Sequence, residues 1–192
     1  MWIVLAFIGS YALGSIPFGY IVGKIKGHNL KEEGSGNIGA SNVFRVVGKK
    51  EGILVFILDL LKGFLPVLYF SGISPIIGIF GALGTVLGHV TTPFLHFRGG
   101  KGISTGFGSV LALMPIPALL SFGVWLVLLA VTRRVSLGSL AGALALPLFY
   151  FFLSEPVITP VLVIAILITV IVFISHRKNI KRLIKGEEKA IF

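Results

Sequence analysis

Long apolar runs separated by short polar stretches make up most of the chain, and their lengths predict membrane-spanning helices. Trp2–Val22 is a first run of spanning length, and with no Lys or Arg ahead of it, it is expected to be retained rather than cleaved as a signal peptide. Gly52–Tyr69 and Ile76–Leu87 form the second and third. Ile103–Leu113 is apolar but only 11 residues long, and a helix of about 16 Å falls short of a hydrocarbon core of about 30 Å. Met114-Pro115-Ile116-Pro117 separates it from Ala118–Val131, and Leu137–Leu153 and Val157–Ser175 complete the series. The expected fold is an all-α integral membrane protein with about seven transmembrane helices in a single domain over residues 1–192, with re-entrant or loop elements at one face.

The charges between the runs orient this arrangement. Counting the Pro115–Pro117 turn as a reversal puts 16 of the 17 Lys and Arg residues on one side, with only Lys62 inside a span. The positive-inside rule then predicts an outside N-terminus and a cytoplasmic C-terminus. A single kinked span over Ile103–Val131 would instead carry Arg133 and Arg134 outside. Composition agrees with a membrane protein, at 55% hydrophobic and 12% charged residues with a mean hydropathy of +1.00. The net charge of +10 flanks apolar spans, so nucleic acid is not the expected partner, and membrane lipid is. The absence of cysteine excludes disulfides, Cys-ligated metals and thiol catalysis. The few scattered acidic residues predict no metal site, and no cofactor is expected.

Two polar, glycine-rich stretches carry candidate chemistry. In Gly34–Arg45, GSGNIGASNVFR, the residues Gly34, Gly36 and Gly39 are expected to take positive φ and turn amides toward one anion. Ser35, Asn37, Ser41 and Asn42 add short polar groups, and Arg45 adds a guanidinium fork suited to phosphate. The competing reading is a flexible turn with a helix cap at Ser41 or Asn42. The second stretch, FRGGKGIST over Phe97–Thr105, surrounds Lys101 with Gly99, Gly100 and Gly102 and runs through Ser104 into a helix, a pattern that favours bound anions. Lys101 is followed by Gly102 rather than Ser or Thr, so this is not a P-loop. An interfacial lysine beside a tight turn is the alternative.

Other candidates are sparser. Asp59 and Lys62 share one helix face inside a span, as a structural ion pair or a substrate-facing pair. His176 and Asn179 share a face just beyond the last run. The basic tail after His176 reads as an amphipathic helix touching anionic lipid.

Four stretches in order, GSGNIGASNVFR (34–45), DLLKG (59–63), GHVTTPFLHFRGGKGIST (88–105) and HRKNIKRLIKGEE (176–188), resemble the bacterial acyl-phosphate-dependent glycerol-3-phosphate acyltransferases of the inner membrane. The resemblance spans the chain. It implies transfer of a fatty acyl group from acyl phosphate to the 1-hydroxyl of sn-glycerol 3-phosphate, giving lysophosphatidic acid and phosphate, the first step of phospholipid synthesis. It implies that Ser35 and Arg45 belong to the active site, that Gly99–Gly102 form the glycerol phosphate loop, that His176 and Asn179 are needed for activity, and that Glu188 is structural. The site is then expected on the cytoplasmic side. Arg98 stands where relatives resemble Lys, and Ser41 where Thr is common; both keep the chemical group.

The His-x-x-x-x-Asp motif of the other glycerol-3-phosphate acyltransferase class is absent, since Glu33, Phe94, Lys101 and Lys181 follow the four histidines at that spacing. The expected mechanism is direct attack of the hydroxyl on the acyl carbonyl, held by Arg45 and Lys101. The proton goes to a substrate phosphate oxygen, or to His176 or His89 as a general base. The rival reading from another class is a transporter of an organic phosphate, which internal repeats and mid-membrane binding residues would mark; a small structural membrane subunit is a third.

Overall fold

The structure, a computed structural model, describes residues 1–191. Ten helices follow in order: α1 (Trp2–Gly14), α2 (Phe18–Ile25), α3 (Ala40–Val46), α4 (Lys49–Ile73), α5 (Pro75–Val90), α6 (Ile103–Leu113), α7 (Pro115–Thr132), α8 (Val135–Leu153), α9 (Thr159–Ser175) and α10 (Arg177–Ile184). A 3-10 turn, Pro93–Leu95, continues α5, and no strand occurs among the described residues.

The first apolar run is not one helix. Pro17 lacks an amide hydrogen and crowds the preceding turn, so the run breaks into α1 and α2 at Ser15–Pro17. The carbonyls freed there find partners inside the bundle. Ile16 O accepts from Lys62 Nζ at 2.7 Å, and Ser15 O accepts from Thr92 Oγ1 at 2.6 Å. The second run extends further than its apolar core, to 25 residues, because Lys49–Glu51 add a polar first turn that Glu51 ties to Lys26 at 3.0 Å. Pro115 and Pro75 each occupy the first helical position of their helix, where a missing amide costs nothing.

Five helical segments are long and apolar enough to cross a membrane, with α1 and α2 counted together, and α9 joined to α10 across a 63° bend gives a sixth. The remaining apolar segment, α6, has the expected 11 residues. Tight helix contacts run through glycine. A methyl at Gly84 or Gly88 of α5 would land on the Phe7 or Tyr11 carbonyl of α1, and one at Gly63 or Gly108 would drive α4 and α6 apart. Without a hydrophobic force between helices in lipid, such close backbone approach supplies the packing energy. The main core, with Val86, Val110, Ala118, Leu146 and Ile168, joins α5 to α9. Beside it, the α2–α3 connection, the Lys101 loop and the tail after α9 meet at one end.

Candidate active site

A cavity of about 440 Å³ lies at that end, where the α2–α3 connection, the loop before α6, α8 and α10 meet. Its polar wall includes Gly34, Ser35, Asn37, Gly39, Ser41 and Arg45 from the first stretch, Lys101, Gly102 and Ser104 from the second, and His176, Asn179 and Glu188 from the tail. Three segments far apart in sequence thus share one space. Asp59 and His89 also reach its wall, whereas Gly36, Asn42, Lys62, Gly99 and Gly100 do not.

The first stretch folds differently from the amide nest its glycines suggest. Gly34 and Gly36 have φ of 62° and 72°, but Gly39 sits at −76° as the cap of α3. The amides of Ser35, Gly36 and Gly39 are already taken, by Asn42 Oδ1 at 2.8 Å, Glu33 O at 3.0 Å and Asn37 Oδ1 at 2.8 Å. Asn42 is fully buried, and its amide nitrogen donates to Leu30 O and Glu33 O, so it binds the loop together rather than facing a ligand. A Cβ at Gly34 would collide with that side chain. What remains for an anion is the side chains. Arg45 lines the cavity from the last turn of α3, and no carboxylate pairs with it among the described residues.

Gly99 and Gly100 also depart from the expectation of backbone contact with phosphate. The Gly99 amide donates to Val90 O at 2.9 Å and the Gly100 amide to His89 O at 3.1 Å, capping carbonyls that the end of α5 leaves without helical partners. Their lack of side chains is a packing requirement. A methyl at Gly99 meets the His89 carbonyl, and one at Gly100 meets the His89 ring. Gly102, at φ 77°, turns the chain into α6, whose first-turn amides at Ile103 and Ser104 have no intrahelical acceptor.

Lys101 points from this loop to α10, where its Nζ donates to Asn179 Oδ1 at 2.5 Å. Burial pushes its pKa down to about 8, Glu188 opposes that, and the cations of Arg182 and Arg45 add to the lowering. Three cations therefore crowd one space, and a bound anion would relieve their repulsion. Asn179 Nδ2 donates to Glu188 Oε1 at 2.6 Å, and Ser136 Oγ and Arg182 Nε converge on the same carboxylate at 2.7 and 2.8 Å. Burial raises the Glu188 pKa, but the hydrogen bonds from Ser136, Asn179 and Arg182 outweigh it and hold the group ionised. Glu188 is a strut joining α8, α10 and the tail.

His176, one residue beyond α9, is buried. Its Nδ1 lies 2.8 Å from Val172 O, and a carbonyl only accepts, so Nδ1 carries the proton and Nε2 keeps its lone pair. Burial, with Lys101 nearby, pushes its pKa down to about 4.

Deeper in the bundle, Asp59 Oδ1 and Lys62 Nζ form a buried pair at 2.7 Å. Lys62 faces the α1–α2 break rather than the cavity. His89 Nδ1 lies 3.1 Å from Thr105 Oγ1 and 3.7 Å from Asp59 Oδ1.

Two features of the cavity are absent from the sequence reading. Arg182 lines it, and its i+3 spacing from Asn179, itself i+3 from His176, was the available signal. The cavity also continues as an apolar groove between helices, walled by Phe56, Val110, Leu146 and Ile168 and by a stacked row of Phe107, Phe122 and Trp125 at centroid spacings of 4.8 and 5.3 Å.

The family model described as Glycerol-3-phosphate acyltransferase matches residues 4–186. A relative of that name from Aquifex aeolicus (strain VF5) is 46% identical over 184 residues, covering 94% of this chain and 95% of its own. One from Trichlorobacter lovleyi is 45% identical over 182 residues, covering 94% and 93%. A crystal structure of PlsY (YgiH), described as an integral membrane glycerol 3-phosphate acyltransferase in its glycerol 3-phosphate form, superposes with a TM-score of 0.94 at 43% identity, covering 98% of this chain and 94% of that one. The lysophosphatidic acid form of PlsY superposes at 0.90 with 42% identity over the same shares. With the all-helical fold, these likenesses define the class: an integral membrane acyltransferase. Within that class the chain belongs to the glycerol-3-phosphate acyltransferase family, which sets aside the transporter and structural-subunit readings.

Proposed function

We propose that the protein moves a fatty acyl group from acyl phosphate to the 1-hydroxyl of sn-glycerol 3-phosphate, releasing lysophosphatidic acid and phosphate. The observation that carries this is the shape of the cavity, in which a cationic end bearing Arg45, Lys101 and Arg182 opens into an apolar groove. Such a space fits a reaction that brings two phosphates together beside an acyl chain. The neighbouring structures named for their glycerol 3-phosphate and lysophosphatidic acid forms support the same substrate and product.

In this reading Arg45 and Lys101 hold the phosphates, with the Ser35 hydroxyl, Ser41, Asn37 and the first-turn amides at Ile103 and Ser104 as further donors. Asn179 aims Lys101. The glycerol oxygen bonds to the acyl carbon, the carbon–oxygen bond to phosphate breaks, and the hydroxyl proton passes to a phosphate oxygen. A phosphate whose second pKa is about 6 accepts that proton more readily than His176, held near 4. His176 instead offers its Nε2 lone pair to orient the attacking hydroxyl. The cations offset charge as the phosphate leaves, and most of the acceleration comes from positioning and fixed electrostatics.

The basic side, with 16 of the 17 Lys and Arg residues, is the cytoplasmic side of a bacterial inner membrane in this reading, with α6 counted as a short seventh crossing and the N-terminus outside. Single-turnover kinetics test the direct attack. Acyl phosphate alone should release no phosphate, and a burst equal to the enzyme concentration would establish an acyl-enzyme instead.

A further inference from the structure

His89 is a buried titratable side chain that the proposed reaction does not use. Its side chain is 7% exposed, at the last turn of α5, where three features of the bundle converge. Its carbonyl accepts the Gly100 amide at 3.1 Å. Its ring lies flush beneath Gly100, close enough that a methyl there would land on Nε2. Its Nδ1 lies 3.1 Å from Thr105 Oγ1, in the first turn of α6. His89 therefore touches the Lys101 loop from below and grips the helix that follows it.

The ring is itself held. Asp59 Oδ1 lies 3.7 Å from Nδ1, Lys62 Nζ sits 2.7 Å from that oxygen, and Lys62 donates to Ile16 O at the α1–α2 break. Four elements thus fix the ring's orientation. One ring nitrogen faces Thr105 and Asp59, and the other lies against Gly100. A loop of three glycines around a lysine has little stiffness of its own, and among the described residues the Lys101 side chain is otherwise anchored only at its tip, by Asn179.

We propose that His89 is a positioning residue for Lys101, its ring and carbonyl forming the platform on which Gly99 and Gly100 lie so that the lysine reaches the cavity. This rests on the reading of Lys101 as a phosphate ligand. It extends that reading to the buried Asp59, Lys62 and Thr105, which hold the platform in place.

The test measures where the Lys101 amine sits, independently of turnover. In purified protein, the rate of Lys101 modification by an amine-reactive reagent, followed by mass spectrometry against pH, should have its midpoint near 8 in wild type. In His89→Ala the midpoint should move toward the ordinary lysine value of 10.5 as the amine leaves its buried place, and KM for glycerol 3-phosphate should rise about tenfold while kcat falls less. Thr105→Val, which keeps shape and removes one hydroxyl, supplies the same comparison if His89→Ala does not fold. A midpoint that stays near 8 in a folded variant overturns the inference, whether or not activity is lost; activity lost with Lys101 unmoved would mark a direct role for His89. Near-wild-type activity in Lys101→Ala would refute the phosphate reading separately, because the labelling midpoint reports position and not substrate binding.

Discussion

Arg45 is the side chain whose replacement separates geometry from charge. It projects from the last turn of α3 into the cavity with no carboxylate partner among the described residues, so its removal breaks no ion pair among them. A guanidinium can hold a phosphate through two parallel hydrogen bonds, whereas a lysine keeps the charge and loses the fork. One charge-assisted hydrogen bond is worth about 1.5 to 3 kcal/mol, and each 1.4 kcal/mol, approximately, is a factor of ten in rate. Arg45→Lys should therefore lower kcat/KM for glycerol 3-phosphate by about ten- to hundredfold, and Arg45→Ala by about hundredfold or more. Thermal stability in detergent should stay at the wild-type level in both. Steady-state kinetics on the three proteins is the assay. Near-wild-type activity in Arg45→Lys would show that charge alone suffices there, and near-wild-type activity in Arg45→Ala would remove Arg45 from the site.

Other expectations address different parts of the account. Because burial lowers the Lys101 pKa to about 8, its cation is present below that pH and lost above it; kcat/KM for glycerol 3-phosphate should fall about tenfold per unit above pH 8, and Lys101→Arg should flatten that limb. Trp125→Ala removes one wall of the apolar groove, so KM should rise about tenfold for a long-chain acyl donor and change little for a short one, as donor-length series would show. Cysteines introduced at Ser74 and Ser154, in a chain with none of its own, should react with a membrane-impermeant thiol reagent from outside the cell only; labelling from the cytoplasmic side alone would refute the orientation.

Much of the fold was legible because membrane helices are written in long, local patterns. The apolar runs set the spans, and α6 appears at its expected bounds, whereas α5 and α7 start at Pro75 and Pro115, ahead of the expected Ile76 and Ala118, because a proline fits the first helical turn. The Pro17 break was not foreseen, since whether a proline bends or splits a helix depends on partners for the freed carbonyls, and those are Lys62 and Thr92, distant in sequence. The two loops stood out as polar, glycine-rich stretches, and residues of both line one cavity, but their internal wiring was not legible. Gly99 and Gly100 fit the local pattern of a phosphate loop, yet their amides close on the end of α5, and only the three-dimensional contact with His89 shows it. Asn42 reads as a polar donor in a polar stretch, and its burial against Leu30 and Glu33 depends on how the loop folds back. The groove was invisible for a related reason: Phe107, Phe122 and Trp125 are apolar residues among many in spans, and nothing local separates those facing lipid from those lining a cavity.

The central claim is that one cavity joins acyl phosphate to glycerol 3-phosphate, and the choice of acyl donor tests it most directly. Purified protein in detergent should be given glycerol 3-phosphate with palmitoyl phosphate, palmitoyl-CoA or palmitoyl-acyl carrier protein in turn, with lysophosphatidic acid and free phosphate both measured. The account predicts lysophosphatidic acid from the acyl phosphate alone, with one phosphate released for each molecule formed. Product from either thioester but none from the acyl phosphate would contradict it.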